Sequence, residues 1–225
     1  MEKSRKKYTL CPFYELEGFT YVSSIDLYVA EESPIRKNWH ETHEAFAEED
    51  SRIPTILEFA IFLNYVKKKN SQLYKNIIQS QEKNPWRIEL LDAYFKKRED
   101  GLYVLTGNQA NFEKGEDGIY VLNRKRKNAE KLKNVLMEER AFGISFKSWL
   151  EDPNLQGLPR RDITRPESDK DKLIYWPPKN GRVAGIEVSP GGINLECDLD
   201  PSKIDSGPVF VARAVKDGAK VRKET

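Results

Sequence analysis

Residues that bind metals or form covalent links are scarce in this sequence. Its 225 residues include two histidines and two cysteines, Cys11 and Cys197. Two cysteines this far apart exclude a disulfide framework but leave open a single bridge. We favour two reduced and mostly buried thiols, because a free cysteine usually behaves as a small apolar side chain.

Net charge and long apolar runs are missing as well. The 38 basic and 36 acidic residues give a formal net charge of +2, so no overall field would attract nucleic acid or a lipid surface. Residues 1–10 are basic but no apolar stretch follows them, and no run approaches the ~18 apolar residues of a membrane span. We therefore expect neither a signal peptide nor a transmembrane segment. The expected location is the cytoplasm, or a surface or virion to which a partner delivers the chain.

The sequence does contain enough aromatic surface to form a core. Ten Phe, ten Tyr and four Trp accompany a charged fraction of 33%. This composition is typical of a globular protein rather than a disordered one. The length fits one domain or two.

Short strand patterns and helices alternate in the first half of the chain. Residues 8–14, 18–24 and 26–30 predict an N-terminal hairpin or meander. Apolar residues spaced three and four apart, including Phe46 and Ala47, predict a helix from Asn38 onward. Thr55 and Glu58 form a capping box at the start of a second helix. A short third helix is predicted at residues 71–80, and a core strand or mixed structure at residues 84–95.

The middle of the chain predicts a hairpin and a long loop. Residues 101–105 and 118–122 are near-copies introduced by turn signals, which predicts two strands paired with each other. The basic run at residues 124–133 has no interleaved aromatic residues, so a solvated loop or helix is favoured over a nucleic-acid patch. Ser145 is a candidate cap for a helix at residues 143–150. A surface loop at residues 151–172 and a strand at residues 173–176 follow.

The last fifth of the chain, residues 183–216, combines regular apolar positions with irregular polar ones. Polar and apolar residues alternate along residues 194–200, which predicts a strand that turns its acids to solvent. The β-branched run at residues 209–215 predicts one buried strand. Four residues are predicted to hold the fold, namely Leu195, Cys197, Phe210 and Val215. The candidate ligand-binding residues are the polar ones: Glu187, Asn194, Glu196, Asp198, Asp200, Lys203 and Asp205.

No catalytic or cofactor-binding pattern accompanies these residues. His40 and His43 are three apart rather than four and have no evident third ligand, so packed helix histidines are predicted instead of a metal site. The acids beside Cys197 would raise the pKa of its thiol, which favours a structural role over a nucleophilic one. The tail acids suit Ca²⁺ in ligand type but not in spacing, and a calcium site stays an open alternative. We expect no catalytic residue, no metal and no cofactor.

Two segments resemble one family. Residues 52–59, R-I-P-T-I-L-E-F, resemble the R-L-P-T-x-x-E-W helix start of C-type-lectin-like domains. These domains occur in formylglycine-generating enzymes and in the variable proteins of diversity-generating retroelements. The tail resembles the variable region of the latter, in particular of archaeal and archaeal-virus members, through L-x-C at residues 195–197 and R-A-V-K at residues 213–216. The sequence differs at residues 185–186, where the family has Arg-Phe, and at residues 211–212, where it has Gly-Val.

The resemblance implies a single C-type-lectin-like domain over residues 1–225. Its class would be α+β, with a mixed or antiparallel sheet, two main helices and long irregular loops. A charged insert would span about residues 97–140, and the variable region about residues 183–216.

The implied function is non-enzymatic ligand binding, with a variable region that a retroelement diversifies to change specificity. The expected ligand is a protein or a cell-surface component rather than nucleic acid, and the oligomeric state is open. One alternative is a formylglycine-generating-type oxidase, which needs a cysteine pair where only Cys197 is present. The other is a structural virion or surface protein.

Overall fold

The computed structural model describes residues 16–32, 37–79, 86–106, 112–114, 120–122, 129–138, 140–202 and 209–218. For residues 112–114, 120–122 and 209–211 it describes the backbone alone. Within these ranges the helices are α1 (Trp39–Glu48), α2 (Ile56–Lys69), α3 (Ser71–Ile78) and α4 (Phe146–Glu151). A single turn of 3-10 helix covers Asp169–Asp171.

Strands make up the rest of the regular structure. The first seven are β1 (Phe19–Val22), β2 (Leu27–Ala30), β3 (Arg87–Arg98), β4 (Gly101–Leu105), β5 (Phe112–Lys114), β6 (Tyr120–Leu122) and β7 (Ala129–Lys131). The remaining six are β8 (Phe142–Ser145), β9 (Lys172–Trp176), β10 (Arg182–Ser189), β11 (Gly192–Leu199), β12 (Val209–Val211) and β13 (Val215–Asp217). Helices and strands together define an α+β protein, as expected.

Side chains at the helix starts explain where α1 and α2 begin. In α2 the Thr55 hydroxyl accepts from the Glu58 amide at 3.2 Å, and the Glu58 carboxylate accepts from the Thr55 amide at 2.8 Å. Glu58 also forms a bidentate ion pair with Arg52 at 2.5 and 2.6 Å. Asn38 and Glu41 form the same capping box at α1. The predicted capping box at Thr55 is confirmed, and Arg52 is an additional partner of its glutamate.

The main sheet is mixed and is built around β3, its longest strand. Its order is β7-β4-β3-β10-β11-β9-β8, and β12 lies beside the first residues of β3. The neighbours are antiparallel except for two parallel pairs, β11 with β9 and β12 with β3. A second sheet has the order β1-β2-β13, so the last described strand pairs with one of the first. The predicted N-terminal hairpin is confirmed for β1 and β2, whereas residues 8–14 lie outside the described residues.

The two faces of the main sheet carry two apolar clusters. The larger cluster packs α2 and α4 against the sheet, and it includes Phe59, Trp149, Leu195 and Cys197. The smaller cluster packs α1 against the opposite face. Its members include Trp39, Phe46, Ile88, Leu90 and Leu199. The sheet is therefore covered on both faces over part of its width.

A buried ion pair fastens the end of the chain to the sheet. Arg213 Nη2 lies 2.8 Å from Glu89 Oε1, and the two side chains are 4% and 3% exposed. Arg213 also donates to the Ala30 carbonyl oxygen and lies over the Phe62 ring. Arg213 thus connects β3, β2 and α2 at one point. Its hydrogen bonds satisfy a charge that would otherwise be costly to bury.

Three of the predicted elements are wrong. β4 pairs with β3 and β7, while β6 pairs with β5, so residues 101–105 and 118–122 do not form a hairpin with each other. Residues 209–215 form two strands in two sheets, because the chain leaves the main sheet where Arg213 turns to Glu89. Ala129–Lys131, predicted as loop or helix, is strand β7.

In the described part of the chain no helix is long and apolar enough to cross a membrane.

Candidate functional site

Most of the described polar residues of the tail lie on a hairpin of two long strands. A turn at Pro190 and Gly191 joins β10 to β11, and Gly192 has φ of 126°, which glycine adopts without strain. The antiparallel register sets Glu187 opposite Asn194. It also sets Gly185 opposite Glu196, so both cross-strand pairs belong to one face of the hairpin.

Alternate residues of β11 face opposite environments, as the sequence predicts. Leu195 and Cys197 are fully buried in the larger cluster. Asn194 and Glu196 point to the other face. A register shift between Val183 and Gly185 then interrupts the alternation, and Leu199 belongs to the smaller cluster. The polar side chains of β11 are half-buried, so the acids are less exposed to solvent than the sequence predicted. The neighbouring strands and their own hydrogen bonds shield them.

Glu187 is the centre of a hydrogen-bonded group on this face. Asn194 Nδ2 donates to Glu187 Oε2 at 2.6 Å. The pKa of Glu196 is raised to about 8, first by burial and then by a hydrogen bond to Glu187 and the charges of Glu187 and Asp198, while a hydrogen bond with Asn194 acts in the opposite direction. At neutral pH Glu196 therefore retains its proton and shares it with Glu187. The group therefore presents a mixture of hydrogen-bond donors and acceptors rather than a bare patch of negative charge.

The two acids further along the chain are engaged in ion pairs. Asp198 Oδ2 lies 2.7 Å from Lys179 Nζ, and Asp200 Oδ2 lies 3.2 Å from Arg182 Nη1. The two acids are partly exposed, at 21% and 33% of their side-chain surface. Among the described residues no group of three His, Cys, Asp or Glu side chains is arranged to hold a metal ion. Lys203 and Asp205, the last two candidate residues, lie outside the described residues.

Sequence reasoning missed a large aromatic side chain on the same face. β9 runs parallel to β11 and sets Trp176 beside Glu196 and Ile174 beside Asn194. Trp176 is 37% exposed. β9 lies 20 residues before its partners in β11, and no local sequence pattern shows that the two strands pair. Ile174 and Trp176 alternate with buried residues, which does indicate that these two side chains share one face. We call the surface formed by Trp176, Glu187, Asn194, Glu196 and Asp198 the polar strand face.

Cys197 has the environment of a structural thiol. It is a free cysteine and fully buried. Burial first, and then the charges of Asp198 and Glu196, hold the pKa of its thiol well above the ordinary value. A protonated thiol without access to solvent is a poor nucleophile. Cys11 lies outside the described residues.

The two histidines belong to the packing of α1 against the sheet. Burial lowers the pKa of His40 to about 4 and that of His43 to about 3, so both are neutral at pH 7. The His43 ring meets Trp39 edge-on at 4.2 Å between centroids, and its Nε2 lies 3.4 Å from Asp92 Oδ1. Asp200 lies close enough to His40 to favour its protonated form slightly. These contacts agree with the predicted packed histidines.

Comparison of the chain with protein-family models, with curated proteins and with solved structures finds no match.

Proposed function

We propose that this chain is a non-catalytic ligand-binding protein whose recognition surface is the polar strand face. One observation carries the proposal: neighbouring residues of β11 have opposite roles. Leu195 and Cys197 are fully buried, whereas Asn194 and Glu196 lie on the outer face, and Asp198 next to them is partly exposed. A surface carried by strands whose other side is locked in the core can change its side chains while the backbone stays in place.

The fold proposed here is C-type-lectin-like, and residues 183–216 correspond to the variable region of a diversity-generating retroelement protein. The helix start at Arg52 to Glu58 supports this, because the residues that match the family motif form the capping box and its ion pair. The tail supports it too. Leu195 and Cys197, which match constant positions of the family, are core residues, and the unmatched polar residues between them lie outside.

The chemistry of the face suits a protein or a cell-surface component as ligand. Trp176 offers apolar area, and Asn194 offers an amide beside the shared proton of Glu187 and Glu196. Aromatic area combined with directed hydrogen bonds is what protein interfaces use at their centres. Exchange of the polar members would change the ligand without changing the aromatic contribution from β9.

Sequencing of the DNA around the gene tests this proposal. We expect a reverse transcriptase gene and a near-copy of the sequence that encodes residues 183–216. Among independent clones, substitutions should concentrate at adenines in the codons for Glu187, Asn194, Glu196 and Asp198, and the codons for Leu195 and Cys197 should be constant. A tail that is invariant among clones, with no such neighbouring genes, would contradict the proposal.

A further inference from the structure

A cleft lies along the outer edge of β8, the last strand of the main sheet. Its volume is about 820 Å³, which is within the ~300–1,000 Å³ range of ligand pockets. The segment before β8 and the loop after α4 form its walls. Apolar side chains line the inner part, including Leu136, Phe142 and Ile163. The cleft shares no lining residue with the polar strand face, and β9, which carries Trp176, lies between β8 and β11.

Three exposed arginines surround this cleft. They are Arg140, Arg161 and Arg165, with Glu138 as the acid in the same lining. In the described part of the chain none of the three forms an ion pair, whereas Arg52, Arg160, Arg182 and Arg213 each pair with a carboxylate. Arg161 is partly oriented by the Val135 carbonyl oxygen, to which its Nε donates at 3.4 Å. Among the described residues the lining thus carries three positive charges against the one negative charge of Glu138.

Backbone groups of β8 also point into the cleft. Ser145 N donates to Thr164 O at 3.0 Å, so the Ser145 amide points away from β9. In an antiparallel ladder residues two apart point the same way, so the amide and carbonyl of Gly143 are directed to the outer edge as well. Gly143 lines the cleft. An amide and a carbonyl side by side match one residue of an extended peptide, whereas an isolated small anion would use only the donor.

We propose that this cleft binds a short, extended acidic peptide segment of a partner protein. The segment pairs its backbone with Gly143 and places its carboxylates against Arg140, Arg161 and Arg165. Its apolar side chains contact the lining of the cleft between the arginines. The chain would then hold one partner at this edge in addition to whatever the polar strand face binds.

Nuclear magnetic resonance titration of the ¹⁵N-labelled full chain tests the proposal. The probe is an acetylated and amidated hexapeptide of alternating valine and glutamate, and the control peptide alternates valine and lysine. We expect saturable shifts at the Gly143 amide with the acidic peptide and none with the basic one, and weaker binding as NaCl is raised. Absence of shifts at Gly143 at the highest soluble concentration of the acidic peptide would overturn the proposal.

Matched variants separate the two parts of the site. Arg140→Gln and Arg165→Gln should each weaken binding about two- to fivefold, the range for exposed ion pairs, and Arg98→Gln on β3 should leave it unchanged. Gly143→Pro removes the amide donor and should abolish binding. Gly143→Ala also adds a Cβ, which would lie 3.1 Å from Cε of the flexible Lys172 side chain, but it keeps the backbone amide donor. This variant should therefore bind the acidic peptide as the parent does.

A modified probe makes the test independent of the folding of the proline variant. A hexapeptide N-methylated at every residue keeps its charge but loses its backbone donors on both edges, and it should bind much more weakly. Equal binding of the methylated peptide, or of N-acetylglutamate amide, would make the cleft a small-anion site and overturn the proposal. Unchanged affinity in both arginine variants would do the same.

Discussion

At the scale of single residues, the polar strand face differs from an exposed acidic patch in its protonation. Glu196 and Glu187 share a proton, and Asn194 donates to Glu187. Burial is the largest cause of the raised pKa of Glu196. The alternation of the sequence predicted which side of the strand these residues face. This alternation did not show that β9 pairs in parallel with β11. That pairing half-buries the polar side chains and places Trp176 beside Glu196.

The shared proton makes stability depend on pH. The pKa of Glu196 is raised from 4.5 to about 8, so the folded state holds this proton more tightly than the unfolded state does. The contribution is complete below pH 4.5 and is lost as the pH rises through about 8. We expect the Tm of the parent to fall between pH 6 and pH 9, and that of Glu196→Gln to fall less. Thermal unfolding followed by circular dichroism measures both.

Asp198→Asn is the control for this experiment. It removes a neighbouring charge and the ion pair to Lys179 but leaves the shared proton in place. Its Tm should decline with pH almost as steeply as that of the parent. Parallel pH profiles for the parent and Glu196→Gln would show that Glu196 titrates as an ordinary glutamate.

Gly185 is one of the positions at which the sequence differs from the family that it resembles, and the structure gives a packing reason for glycine there. A Cβ at this position would lie 2.7 Å from Ile88 Cγ2, 2.7 Å from Leu199 Cδ1 and 3.2 Å from the Glu89 carbonyl oxygen. The smaller apolar cluster therefore closes directly over the strand. An arginine, as the family has here, would not fit this arrangement.

Gly185→Ala should accordingly destabilise the protein by about 1–3 kcal/mol, the usual cost of overpacking. Gly191→Ala is the matched control, because its new Cβ would meet only Ser189 Oγ at an ordinary 3.6 Å. Its effect should stay within about 0.5 kcal/mol. Urea unfolding measures both free energies. Equal stability of Gly185→Ala and Gly191→Ala would mean that the smaller apolar cluster rearranges to accommodate the extra methyl group.

At the scale of elements, the accuracy of the sequence prediction depends on whether the signal is local. The starts of α2 and α4 were predictable because Thr55 and Ser145 cap amides three residues away. Strand partners were not predictable in the same way. Residues 101–105 and 118–122 have similar sequences, and residues 101–105 and 120–122 are strands β4 and β6. β4 pairs with β3 and β7 and β6 pairs with β5, because packing against distant parts of the chain decides which strands pair.

Thr55→Ala tests the energetic weight of the capping box on α2. Loss of the acceptor for the Glu58 amide should cost about 1 kcal/mol in the free energy of unfolding. Thr55→Ser keeps the hydroxyl and should retain most of the stability. Because Phe59, Phe62 and Leu63 of α2 are buried in the main core, the loss should appear in global unfolding by urea rather than as local fraying. Equal losses in both variants would assign the effect to the methyl group of Thr55 instead.

At the scale of the whole molecule, the described tail is built into the scaffold rather than attached to its surface. β10 and β11 form the middle of the main sheet, and Arg213 and β13 tie the end of the described chain to Glu89 and β2. The sequence did not predict that residues 209–215 divide between two sheets. In the sequence Arg213 looks like one polar residue within a single apolar strand, whereas in the structure it is buried and pairs with Glu89. Its partner lies 124 positions away in the chain.

The central claim is that the polar strand face is an exchangeable recognition surface on this scaffold. Two surface-display libraries test it most directly. One randomises Glu187, Asn194, Glu196 and Asp198, and the other randomises four exposed residues of α2 and α3, namely Lys68, Ser71, Gln72 and Lys75. Both are selected for binding to immobilised streptavidin.

We expect specific binders to be enriched from the first library, to unfold cooperatively near the Tm of the parent, and to be rare in the second. Equal enrichment from both libraries, or a first library whose members no longer unfold cooperatively, would contradict the division between scaffold and recognition surface.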